Sequence, residues 1–89
     1  MQKFPLGRVA ATPAALYELE RLGINPLELL GRHVSLDPGA LGSADRQANE
    51  RALLDGSRVF SAYEYTAIKF FVITGWDRSA TTILLASEY

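Results

Sequence analysis

The side chains in this sequence that could do chemistry are few and fall into separate groups. His33 is the only histidine. With Asp37 or Asp45 orienting its ring it could serve as a general base. The alternative is a cation at the C-terminal end of a helix, where the macrodipole favours positive charge. A second group is Trp76-Asp77-Arg78-Ser79, which holds the only tryptophan. Trp and Arg are the residue types most enriched at interface hot spots, and turns are where function concentrates. The competing reading folds Trp76 back over a sheet edge, gives the turn to Asp77 and Ser79, and leaves Arg78 in solvent. The third group is the polar run Asp45 to Arg51, in which Arg46 and Glu50 are candidate partner-binding residues on what is otherwise a solvated helix face.

Several chemistries are excluded. There are no cysteines, so disulfides and thiolate metal sites are ruled out, and one histidine leaves too few of zinc's usual ligands. No metal or cofactor is expected. Ser57, Ser61 and Ser79 lack a GxSxG setting, and Gly39-Ala40-Leu41-Gly42 lacks the lysine of a phosphate loop. The catalytic set is therefore expected to be empty.

The chain has 89 residues, enough for one small domain. A domain this size buries only about 60–65% of the surface its unfolded chain exposes. The net charge is −1, from nine basic and ten acidic residues mixed along the chain. That weighs against nucleic acid as the primary partner and against a one-sign acidic mimic of it. Nearly half the residues are apolar (48%), which marks a folded protein. Neither a signal-peptide core nor a run of about 20 apolar residues is seen. Together with the lack of cysteine this gives a cytoplasmic expectation.

The elements that must position these residues are well punctuated. Arg8 to Ala11 reads as a short strand at a sheet edge. Thr12 caps a helix that starts at Pro13, carries Ala15, Leu16, Leu19 and Leu22 as its stripe, and closes at Gly23. Glu18 and Arg21 form an i,i+3 pair. Asn25 and Pro26 start a second helix whose stripe is Leu27, Leu30 and Val34, with Leu29 on its shoulder. It ends near Ser35, before Asp37-Pro38-Gly39, a strong turn signal. Ser43 caps a third helix, with Asp45 in its first turn. Ala48, Ala52 and Leu53 or Leu54 face inward, and Asp55-Gly56 ends it. The second helix superficially suggests a helix-turn-helix, but Glu28 beside only Arg32 and His33 makes it a poor recognition helix.

From Ser57 the period changes to two. Strands are expected over Arg58–Tyr65, Ala67–Thr74 and Ala80–Ala86, rich in β-branched and aromatic residues. Val59, Ser61, Tyr63 and Tyr65 share one face; Ile68, Phe70, Val72 and Thr74 share a face of the next strand. Phe71 and Ile73 make that strand apolar on its other face too. Something must cover this second face: the N-terminal segment, Tyr89, or a second molecule. A homodimer is one way to do so.

The sequence also resembles a family of short bacterial proteins carried on plasmids and other mobile elements, some of them labelled as a subunit of a type I restriction system. The residues that carry the resemblance run nearly end to end. They are Phe4 to Val9, Ala11-Thr12-Pro13, Ala15-Leu16, Pro26 to Leu30, Arg32-His33-Val34, Asp45, Asn49-Glu50, Ala52-Leu53 and Ser61-Ala62-Tyr63. The strongest stretch is Val72-Ile73-Thr74 with Trp76 to Leu85, followed by Glu88-Tyr89. The chain departs at Leu36-Asp37-Pro38-Gly39, where relatives often have a Gly-Asp-Trp-Gly-like loop. It is far too short for a methyltransferase subunit. The resemblance implies a mobile-element accessory protein acting on host machinery.

These readings combine into a single α+β domain over residues 1–89, with three N-terminal helices packed on a C-terminal three- or four-stranded antiparallel sheet. The expected function is non-enzymatic: binding a host protein complex through Trp76, Asp77, Arg78, Ser79, Arg46 and Glu50, as an inhibitor of CRISPR or restriction defence. The other reading is a small ribonuclease-like toxin or nucleic-acid binder that uses His33, Arg78 and Tyr63 or Tyr89.

Overall fold

The computed structural model describes residues 3–37, 39 and 43–89, the side chains of 43–45 excepted. The element order is β1 (Arg8–Ala11), α1 (Pro13–Leu22), α2 (Pro26–Val34), α3 (Ser43–Asp55), β2 (Val59–Tyr65), β3 (Ile68–Thr74), β4 (Ala80–Leu85) and a 3-10 turn at Ala86–Glu88. The strands after Ser57 lie within a residue or so of their expected bounds. The roles expected for Ser43 as a cap and for Asp45 lie outside the described side chains, as does most of the loop from Pro38 to Gly42.

The fold is α+β, but its arrangement differs from the expected one. The sheet has four strands in the order β1-β4-β3-β2. β2, β3 and β4 form an antiparallel meander, whereas β1 lies parallel to β4, with Arg8 beside Ala80 and Ala11 beside Ile83. The sheet is therefore mixed and is completed from the N-terminal side, and the helices are inserted in the middle of the chain between its first two strands. The physical reason lies in the connection. The helices carry the chain from β1 to β2 at the far edge in the same direction, and two hairpins then bring β4 back beside β1, parallel to it.

Local chemistry sets the helix ends. The Thr12 hydroxyl accepts from the Ala15 N–H at 3.1 Å, Asn25 Oδ1 accepts from the Leu27 N–H at 2.9 Å, and Gly23 closes α1 at φ 71°. The Glu18–Arg21 pair forms at 2.6 Å on the surface, where such pairs contribute little.

α1 and α2 cover one face of the sheet. Ala15 and Leu19 from α1 and Leu29 and Leu30 from α2 pack on Tyr63, Phe70, Val72 and Ile83. The inward stripes are rotated from those expected. Leu16 and Leu27 point outward, 47% and 70% exposed, while Leu29 and His33 are fully buried. α3 is no core helix. It lies along the outer edge of β2 and buries only Asn49 and Ala52 among its described side chains, leaving Ala48, Leu53 and Leu54 outside. Ala52 joins Phe4 and Val59 in a second, smaller core.

Candidate functional site

His33 sits between the two cores and is not the surface cation that its helix-end position suggests. Its ring is 0% exposed. Nδ1 lies 2.7 Å from Ser61 Oγ and Nε2 lies 2.8 Å from Thr74 Oγ1; Thr74 Oγ1 lies 2.7 Å from Thr81 Oγ1, which donates to the Leu6 carbonyl at 2.7 Å. A carbonyl can only accept, so the directions follow as far as Nε2, and the neutrality of the buried ring fixes the bond at Nδ1. Thr81 gives its proton to Leu6, Thr74 to Thr81, Nε2–H to Thr74, and Ser61 to Nδ1. The imidazole is neutral with its proton on Nε2. Burial pushes its pKa down to about 4. Phe4 meets the ring edge-on, with centroids 5.3 Å apart. A base whose two nitrogens are both occupied, behind closed packing, has no position from which to take a proton from a substrate.

Tyr63, the second residue of the ribonuclease-like reading, is likewise spent on structure. Its hydroxyl donates to the Asp37 carbonyl, and burial raises its pKa to about 12. The polar residues of α2 fold back onto the same region. Arg32 Nε donates to Asp37 at 2.7 Å, and Tyr65 donates to Glu28 at 2.7 Å. The Arg32 bond holds the Asp37 carboxyl below its ordinary pKa. This leaves α2 without a basic face for nucleic acid. Tyr89 lies on the other side of the sheet, against Phe60 and Phe71 at 5.7 and 5.4 Å between centroids, and accepts from Arg58 at 2.7 Å. It covers part of the second apolar face. A groove of about 480 Å³ between α3 and this cluster is lined by Arg51, Asp55, Arg58, Phe60 and Tyr89. Arg58 closes one side of it by lying over the Phe60 ring.

The Trp76–Ser79 turn remains, and its members divide sharply. The Arg78 side chain is not left in solvent. One of its terminal nitrogens donates to the Ser57 and Gly75 carbonyls, and the other to the Ala52 carbonyl at 2.9 Å. The Ala52 carbonyl, in the last turn of α3, already accepts from the Gly56 N–H at 2.9 Å, so Arg78 adds a second donor there and ties the helix end to the turn. Asp77 accepts from the N–H and hydroxyl of Ser79, at 3.1 and 2.8 Å, which makes both residues turn-formers. Gly7, at φ +66°, packs against this turn so closely that a Cβ there would stand 2.4 Å from the Ser79 backbone. Trp76 is displayed, 73% exposed rather than folded over the sheet edge.

Arg46 and Glu50 are exposed on α3. Arg46 contributes to the field at Asp37, at the end of α3 away from Ala52 and its Arg78 clamp, so the six candidate residues do not form one cluster. Sequence reasoning missed Asn49. Its carboxamide donates to the Phe60 carbonyl at 2.6 Å and accepts from the Phe60 N–H at 3.1 Å, closing the outer edge of β2 as a neighbouring strand would. It also missed the Ser61–His33–Thr74–Thr81 chain. The available signal was small hydroxyl residues recurring on an otherwise apolar strand face in a chain with a single histidine.

No group of three or more His, Cys, Asp or Glu side chains suited to a metal occurs among the described residues, and no helix there is long and apolar enough to cross a membrane. No family model, curated protein or solved structure matches the chain.

Proposed function

We propose that this chain is a non-enzymatic protein-binding factor that presents Trp76 to its partner. The observation that carries the reading is a large, exposed indole on a turn held from three directions: Asp77 from within, Arg78 from α3, and Gly7 from the N-terminal segment. An anchor whose backbone is already ordered loses less entropy on binding than one on a free loop. The buried, fully bonded state of His33 supports the non-enzymatic side of the reading.

The partner we propose is a host defence complex of the CRISPR or restriction type, met in the cytoplasm of a bacterium carrying the mobile element. That part rests on the resemblance to plasmid-borne proteins. The test is inhibition of DNA cleavage by purified CRISPR effector and restriction complexes. Trp76→Ala is expected to abolish inhibition while changing stability by no more than about 0.5 kcal/mol. Arg78→Ala is expected to lower stability by about 1 kcal/mol, because the Ser57 carbonyl loses its donor while those of Ala52 and Gly75 keep backbone donors. Failure to inhibit any such complex, or full inhibition by Trp76→Ala, overturns the proposal.

A further inference from the structure

The two edges of the sheet are treated differently. Asn49 blocks the edge of β2 at Phe60, and Gly39 bridges Ala62 two residues further on. Among the described residues the edge of β1 is left open. β1 is the terminal strand of the sheet and pairs only with β4. The Arg8 N–H donates to Ser79 and the Thr12 N–H to Ile83, at 2.9 and 3.0 Å, so even-numbered residues face β4. The N–H and C=O groups of Val9 and Ala11 therefore point away from the sheet, a ready template for another strand.

We propose that this edge is a self-association surface, on which β1 of a second copy pairs antiparallel about a two-fold axis at Ala10. Several features select a second copy over an unrelated strand. In that register Val9 of each copy lies opposite Ala11 of the other, and the pair exchanges both outward-facing backbone bonds. Ala10 meets its own symmetry mate at the closest point, where a methyl group is small enough to fit. Arg8 lies opposite Thr12 of the second copy, and Thr12 already donates to the Glu88 carboxylate at 2.7 Å. The exposed Arg8 guanidinium, which makes no ion pair among the described residues, then reaches Glu88 of the second copy, and the symmetry repeats that pair. Val9, 45% exposed, gains cover against Ala11 of its mate. The product is one eight-stranded sheet whose two outer edges are the ones closed by Asn49 and Gly39. Self-complementary pairing of this kind closes on itself instead of growing into a fibre.

Sedimentation velocity of the intact chain over a concentration series, with amide exchange followed by NMR, tests the proposal. A dimer is expected, in which the Val9 and Ala11 amides exchange about a hundredfold more slowly than at dilutions where the chain is monomeric. Val9→Pro removes only an outward N–H and is expected to give a folded monomer. Ala10→Glu, which sets like charges face to face at the axis, provides the same readout if the proline variant does not fold. A chain that stays monomeric at every concentration overturns the proposal. So does a dimer in which the Val9 and Ala11 amides exchange freely, or one that persists in both variants.

Discussion

Acidification acts on this protein chiefly through a single group between neutral pH and about pH 4.5, and the size of the effect follows from the structure. His33 is neutral when folded, with a pKa lowered from 6.5 to about 4 by burial. The sign follows from which state takes up the proton. As pH falls below 6.5 the unfolded chain protonates its imidazole while the folded chain does not, so the unfolded state gains and stability falls with falling pH. With these two pKa values the loss is about 2 kcal/mol at pH 5 and about 3 kcal/mol at pH 4, relative to pH 7.5. That is a large part of the roughly 5–10 kcal/mol expected of a domain this small. Carboxylates add their own losses only lower down, because Asp37, Asp55 and Asp77 have folded pKa values below the ordinary 3.8 and stay ionised until the pH falls through that range. Urea denaturation at a series of pH values between 7.5 and 4.5 measures the effect, and His33→Gln, which keeps a donor and an acceptor but cannot titrate there, is the control. A wild-type stability that is flat over this interval, or an imidazole that titrates near 6.5 in the folded chain by NMR, would refute the reasoning.

Two further outcomes are expected from local geometry. Asn49→Ala strips the Phe60 N–H and C=O of their partners at the edge of β2, and denaturant melts should show a loss of about 2–3 kcal/mol. Asn49→Asp, which can still accept from the N–H but cannot donate to the carbonyl, should fall between the two. The β2–β3 hairpin turns through Thr66 and Ala67 at φ 49° and 66°, the left-handed region at both central positions, where neither residue is at ease. Thr66→Asn with Ala67→Gly should stabilise the chain by about 1 kcal/mol, raising Tm by roughly 5 °C in a thermal melt. An unchanged or lower Tm counts against that reading of the turn.

What is legible in the sequence is whatever depends on near neighbours. Thr12-Pro13, Asn25-Pro26 and Gly23 mark helix ends because caps act within a few residues, and all of them do so in the structure. The alternation after Ser57 locates the meander for the same reason. The direction of β1 is not legible. Four mostly small residues carry no signal for parallel or antiparallel pairing, which depends on β4 about seventy positions away. The inward face of α2 is misread from sequence because apolar count favours Leu27 and Val34 over His33. Burying His33 becomes tolerable only once Ser61 and Thr74 supply partners from the sheet. Residue type places Arg78 at an interface or in water because its acceptors are backbone carbonyls, which leave no mark on the sequence. His33, Asn49, Ser61, Thr74, Arg78 and Thr81 hold the fold together through bonds that span the sequence.

The parallel pairing of β1 with β4 has a consequence for how the chain reaches its native state. The hairpins β2–β3 and β3–β4 close loops of a few residues, whereas Arg8 cannot find Ala80 until almost the whole described chain has been drawn into a single loop. Closing that loop costs entropy that no contact repays until the meander already offers β4 as a template. The meander should therefore lead, with β1 and the Leu6–Thr81 bond joining last, and α1 and α2 find their resting surface only as it forms. On the ribosome the order is more severe: the strand that receives β1 is the last of the four to be made, so β1 waits without its neighbour until α1 to α3, β2 and β3 have all been synthesised.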